Sequence, residues 1–357
     1  MAIPVSQWSD QDWTRDRIDR FFQRQNYRLS GGVQLQADYA SLIGALGVFQ
    51  GRGKYLQLKQ VAFAQVDLPN SLQDELVKLH RAESPNLGMI LAVGRDLVAY
   101  QSQTVEKLQR LAGKFVDRIL AVTLDCDGIY QQDFDGQSTR VSYYRALEIA
   151  ERTGANVIDG IGERDLAANG SGQWLAALPS WLIHADREQS PDSGNKLLLF
   201  ARNGVEAMIL PNSDGSDDFV PEIQVNRFAD LLSDCDDILN FVEASSGNQR
   251  VVETILIGFP SAQIEDFVLK GQLKSGLLGI CRIPENISSV EMHDAVVSAF
   301  WGIMFADQMA GNLPLLTGAS SQRILGRISP GLPVVWRHLL QNMNDATAPT
   351  MKLRDAV

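Results

Sequence analysis

A single order of strands and helices runs through this sequence twice. In the first half, three β-prone stretches around 31–38, 39–50 and 54–66 precede helical patterns at 70–83 and 95–115, with QGRGK as a tight turn between the last two strands. The run RILAVTL at 118–124 is almost continuously apolar, which reads as a buried parallel strand. The helix YYRALEIAERTG closes on Gly154, and ANVIDG is a further short strand. In the second half, KLLLFARNGVEAMILP sets Asn203-Gly204 between two β runs, a hairpin signal. Helix 222–244, strand VVETILIGF, helix 261–270, strand GLLGICRI, the long helix SVEMHDAVVSAFWGIMFADQMAG and a terminal helix near 332–342 follow. The alternation predicts an α/β protein, and its repetition predicts duplicated β-β-β-α-β-α-β halves with a cleft between them. The polar, turn-rich HADREQSPDSGN at 184–195 marks the boundary, giving one domain over 1–192 and another over 193–357. Residues 1–30 read as an amphipathic leader helix, with Trp13, Ile18, Phe21 and Phe22 on one face.

Length and composition agree with this plan. The chain has 357 residues, too many for one ordinary core, and its 45% hydrophobic and 21% charged residues are those of a soluble globular protein. No apolar run reaches the roughly 18 residues of a membrane span. The first residues carry acids and no apolar h-region, so a secretory leader is not expected. Cys126, Cys235 and Cys281 lie far apart without a CxxC, which fits reduced thiols in a cytoplasm. Four scattered histidines argue against zinc; His80 and His293 read as helix-surface residues and His338 as part of the terminal helix. A net charge of −11 argues against nucleic acid, whose binding rests on Lys and Arg neutralising phosphates.

The chemistry-bearing residues gather in VIDGIGERDLAANGSGQW, 157–174. Its glycines either offer backbone N–H groups to an anion or simply turn the chain. Neither a P-loop nor GxGxxG is present: no Gly-Lys-Ser/Thr follows, and Asp165 stands where a third glycine belongs. Asp165 also fits a helix cap ahead of Leu166. In LDCDG, Asp125 and Asp127 follow a buried strand, where ligands of open α/β sheets bind; they either hold Mg²⁺ through water or form a turn with Gly128. The acidic NSDGSDDF, 212–219, misses the calcium-loop spacing and reads as a solvated loop.

Two stretches resemble the anhydro-N-acetylmuramic acid kinases, sugar kinases of the actin-like, hexokinase-type ATPase fold. LEIAERTGANVIDGIGERDLAANGSGQWLAALPSWL is similar to the family's run from a helix IAE-TG into VV-DFR--D-AAGGQGAPL-P. VEMHDAVVSAFWGIMFADQMAGNLPLLTGASSQRILGRISPG is similar to its closing helix followed by NLP-VTGA and LG-I-PG. The resemblance implies an ATP- and Mg²⁺-dependent enzyme of cell-wall recycling. Such an enzyme opens a 1,6-anhydro ring with water while the γ-phosphoryl moves to O6, with an aspartate as general base and glycine-rich turns around the phosphates.

Carried over residue by residue, the resemblance thins where the chemistry would be. The family's base falls on Gly160 and the arginine of DFR on Gly162; Asp159 is one place early, which on a strand turns it to the other face. The second aspartate is kept as Asp165, beside Arg164. GGQGAP has become Asn169-Gly170-Ser171-Gly172-Gln173-Trp174. The first phosphate turn is reduced to Asp38 within GGVQLQADYASLIG, and HGQT falls on Asp125 to Gly128. The second phosphate hairpin maps to Phe200–Glu206, with Arg202 and Asn203 in place of two glycines. The adenosine-contacting glycines have become IGFPSAQ, with Phe259 and Pro260, while LTGAS, including Thr317 and Gly318, survives. The expected protein is a catalytically impaired homologue that keeps the fold. Its ligand candidates are Asp127, Arg164, Asp165, Asn169, Gly170, Ser171, Gly172, Thr317 and Gly318, with no catalytic or metal residue assigned. The alternative is an active, diverged kinase using ATP and Mg²⁺, with Asp125, Asp127 or Asp159 supplying the base and the metal contacts. The expected partner is a sugar or cell-wall fragment, a protein, or a second copy of the chain as a homodimer.

Overall fold

The structure, a computed structural model, describes residues 27–82, 85–124, 129–132, 138–185, 194–202, 204–212, 220–246, 250–274 and 278–346. The chain divides into two compact units. One takes the described residues of Met1–Leu175 and Asp294–Thr350; the other takes those of Ala176–His293.

In the first unit, strands β1 (Tyr27–Leu35), β2 (Ser41–Gln50) and β3 (Gln57–Asp67) form an antiparallel meander. Helices α1 (Asn70–Arg81) and α2 (Leu87–Ala112) follow, then β4 (Ile119–Leu124), which pairs parallel to β1. A two-stranded hairpin, β5 (Ile129–Gln132) with β6 (Ser138–Val141), leads to α3 (Ala146–Thr153) and β7 (Val157–Asp159), parallel to β4. All six residues of β4 are buried, as its apolar run requires. α2 begins where the Asn86 side chain accepts the Met89 N–H at 3.0 Å. α3 stops at Gly154, which is left-handed at φ 70°. Leu97, Val105 and Leu108 of α2 fill one face of this sheet with Leu29, Val33, Leu46 and Val122.

The second unit starts with α5 (Ala177–His184), α4 being the short helix Ile161–Leu166 of the first. Strands β8 (Asn195–Arg202), β9 (Gly204–Leu210) and β10 (Gln224–Phe228) form a second antiparallel meander. Helix α6 (Cys235–Ser246), β11 (Val251–Ile257), α7 (Ser261–Lys274) and β12 (Ile280–Arg282) complete it, with β11 parallel to β8 and β12 parallel to β11. Leu197, Leu199, Ile238, Val242, Leu256 and Phe267 form its core. Helix α8 (Val290–Ala306) has its first turn in this unit; its remainder, with α9 (Pro314–Thr317), β13 (Arg327–Ser329) and α10 (Pro333–Asn344), belongs to the first.

The sheets run β13-β7-β4-β1-β2-β3 and β10-β9-β8-β11-β12. Each holds the same order, a meander whose first strand is extended by two parallel strands. This is the ribonuclease H-like strand order, present once in each unit. Gly32 explains how closely α8 packs on the first sheet: a Cβ there would overlap the Ala295 carbonyl and the Ala299 amide. Gly302 on α8 meets Ser30 and Thr123 in the same way.

Some expectations are corrected. Residues 27–30 open β1 and do not end a helix; residues 1–26 of the expected leader lie outside the described residues. The helix expected over 222–244 is a strand, β10, followed by a helix from Cys235. The separation is local chemistry: Asp230 Oδ1 accepts the Leu232 and Ser233 amides at 2.9 Å each, and Asp234 Oδ2 accepts those of Ala229 and Asp230. These side chains take the backbone donors that a continuous helix would use. The same bonds, first that from Ser233, hold the Asp230 carboxyl below its usual range. His80 is half-buried against Tyr39 and Tyr143, and His293 is fully buried, so neither lies on a helix surface. Among the described residues, no helix is long and apolar enough to cross a membrane.

Candidate functional site

The glycine-rich stretch starts as β7 ends. Gly160 turns left-handed at φ 71° and opens α4, so Asp165 sits inside this helix and not at its cap. Asp165 is fully buried. Its Oδ2 accepts the Gly172 amide at 3.0 Å and its Oδ1 accepts Asn312 Nδ2 at 2.9 Å. Gly170 lies against this carboxylate so closely that a Cβ would overlap it. Asn169 (φ 64°), Gly172 (φ 67°) and Trp174 (φ 59°) are left-handed, which curls the loop around Asp165.

From Asn169 to Gln173 every backbone donor of the loop is in use. The Asn169 amide goes to Leu166 O, Gly170 to Asp165 O, and Ser171 to Thr317 O, at 2.9, 2.9 and 2.8 Å. Gly172 goes to Asp165 Oδ2 and Gln173 to Ser171 Oγ, at 3.0 and 3.2 Å. The surviving LTGAS turn is equally closed. Leu316 and Thr317 donate to Leu313 O, Gly318 to Pro314 O, Ala319 to Thr317 Oγ1 and Ser320 to Ala168 O. Asn312 joins the two loops, donating also to Ser321 O and accepting the Arg323 amide at 2.7 Å.

The structure therefore brings Asp165, Asn169, Gly170, Ser171, Gly172, Thr317 and Gly318 into one cluster. Arg164 is exposed on α4 beside it. Asp125 and Asp127 lie outside the described residues. Asp159 is 2% exposed, and both its oxygens accept from Arg327 of β13, Nε to Oδ1 at 2.9 Å and Nη2 to Oδ2 at 2.8 Å. Hydrogen bonding to Asp159 raises the Arg327 pKa above its usual value. At Gly162 a Cβ would overlap the Arg140 guanidinium of β6.

The two hairpins onto which the resemblance maps phosphate turns have their described side chains engaged within the protein. At the β1–β2 tip, Asp38 Oδ1 accepts the Ala40 amide at 2.9 Å, and Tyr39, left-handed at φ 60°, stacks on His80. A carboxylate at that tip opposes an anion. In the second unit, Arg202 Nε pairs with Glu206 at 3.0 Å, and Glu206 also holds Arg227; Asn203 lies outside the described residues. Phe259 packs against the core of the same unit. No group of three or more His, Cys, Asp or Glu side chains able to hold a metal ion occurs among the described residues. Among the described residues, the amides of 169–173 already have acceptors and Asp159 is ion-paired, so these groups offer no ready contact to a magnesium triphosphate. Outward the cluster offers the neutral Asn169, Ser171 and Gln173, all exposed, with the exposed Arg164 beside them.

Two residues that organise this cluster were not singled out from the sequence. Asn312 stands in the GNLP segment of the resemblance, which was its signal. Arg327 has none, because 168 residues separate it from Asp159.

No family model matches the sequence, and no curated protein does. Similar solved structures include a protein of unknown function with an actin-like ATPase fold from Bacteroides thetaiotaomicron, at 10% identity over 78% of this chain and 98% of that one, TM-score 0.33. Nucleoside triphosphate hydrolases from Neospora caninum match at 12% identity over 58% and 43%, TM-score 0.26. Glucokinase from an Antarctic psychrotroph matches at 13% identity over 89% and 88%, TM-score 0.24. These are likenesses of fold, and the strand orders above stand without them.

Proposed function

We propose that this chain is a relative of the anhydro-N-acetylmuramic acid kinases that has given up phosphoryl transfer and keeps the paired loops 165–174 and 312–320 as a binding scaffold. The observation that carries this reading is the full commitment of the loop amides. A helix or loop terminus grips phosphate with free N–H groups, and from Asn169 to Gln173 every one already has an acceptor within the protein. With Gly160 at the position of the family's base, the general-base contribution of about a hundredfold to ten-thousandfold is also lost. The ligand is a sugar or cell-wall fragment, met by Asn169, Ser171 and Gln173 with Arg164 beside them; a protein partner is the second reading. A working kinase with Asp159 as base would first require Asp159 to leave Arg327.

The test is a pair of titrations. Calorimetry with ATP and Mg²⁺ is expected to give no binding at millimolar nucleotide, while a thermal-shift screen of anhydro-sugars and cell-wall fragments is expected to find one that stabilises without nucleotide. A ligand at about a hundred times its Kd contributes about 2.7 kcal/mol. Micromolar ATP binding with turnover of an anhydrohexose would overturn the reading.

A further inference from the structure

The second unit contains a pair of imidazoles with no part in the function proposed above. His184 is the last residue of α5, and His293 stands in the first turn of α8. They are 6% and 0% exposed. Their rings stack with centroids 5.4 Å apart and planes 10° apart, and Phe200 meets His293 edge-on at 4.6 Å. His184 Nε2 is buried without a hydrogen-bond partner. The continuous part of the unit runs from Ala176 to His293, so the stack joins its beginning to its end.

The surroundings oppose a charge on His184. The groups that act on His184 are His293 from α8, Arg282 from β12 and Lys196 from β8. The carboxylate nearby, Glu253 of β11, is already shared by Lys196, at 2.9 Å, and by Arg282. A proton arriving on His184 would meet two cations and a second imidazole, and the carboxylate that holds those cations is already engaged. Burial, followed by these neighbours, accordingly holds His184 well below the ordinary histidine value.

We propose that the His184–His293 stack is an acid-sensitive latch: it holds the end of α5 against the first turn of α8 while both rings are neutral, and releases α5 when a proton is taken from solvent. The released histidine titrates near its ordinary value of 6.5. Below that pH each proton taken up raises the open population about tenfold per pH unit.

Hydrogen exchange read by mass spectrometry on the full chain, corrected for intrinsic rates, tests this between pH 7.5 and 5.5. Peptides spanning 177–184 and 290–297 are expected to lose protection about fivefold from pH 6.5 to 5.5. Peptides of β1 and β4 are expected to keep theirs, and His184→Phe is expected to abolish the loss. Protection independent of pH in the unmodified chain, or an undiminished loss in His184→Phe, would overturn the latch. Should His184→Phe fail to fold, imidazole C2–H exchange in the unmodified protein decides: His184 titrating well below exposed histidines supports it, and an ordinary value sinks it.

Discussion

Asp165 and Asn312 are 147 residues apart in sequence, yet Asn312 Nδ2 donates to Asp165 Oδ1 at 2.9 Å in a site closed to water. This contact, with the Gly172 amide on the other oxygen, turns a loop that looks like an anion cradle into a closed structural knot.

Removing that carboxylate strands the buried Asn312 donor and the part-buried Gly172 amide, a buried donor left unpaired costing about 1–3 kcal/mol. Asp165→Ala is therefore expected to lower stability by about 2–4 kcal/mol in urea denaturation, with new proteolytic cleavage at 169–174. Asp165→Asn, which keeps an acceptor oxygen, is expected to lose less.

Arg327→Ala leaves the Asp159 carboxylate buried without its partner. Breaking a fully buried pair costs about 3–5 kcal/mol, but the Arg327 side chain is 68% exposed, so the expected loss is nearer 1–3 kcal/mol. Thermal unfolding measures it. If Asp159 served as a base, the same change would alter activity more than stability.

Two glycine substitutions separate space from backbone conformation. Gly32→Ala drives a methyl into the α8 backbone and is expected to cost about 3 kcal/mol or more, or to prevent folding. Gly318 faces open space at φ 78°, so Gly318→Ala carries only the left-handed penalty, about 1–2 kcal/mol. Equal effects in denaturation would contradict the close packing of α8 on β1.

His338 gives the first unit an acid dependence of its own. Burial, then Arg118, lowers its pKa, while Asp117 opposes this. The fold thus favours neutral His338, and the unfolded chain binds the proton more readily. The contribution is present above pH 6.5 and is lost as pH falls below it. Urea midpoints are expected to drop from pH 7.5 to 5.5, and His338→Gln is expected to flatten that slope.

Local pattern determined much of this protein. The apolar run at 119–124 could only be a buried strand, Gly154 could end α3 because it tolerates a left-handed backbone, and the repeated order of elements announced the duplicated α/β architecture. These rest on periodicity and backbone preference within a few residues. Where a neighbour's side chain intervened, as Asp230 and Asp234 do ahead of α6, the pattern misled and a strand was read as a helix. The tertiary structure alone decided the fate of the carboxylates and histidines. Asp159 is held by Arg327, Asp165 by Asn312 and Gly172, and His293 is buried against His184 and Phe200. Those pairings arise from chain segments brought together by packing, and a buried polar group takes its chemistry from whichever partner the fold sets beside it.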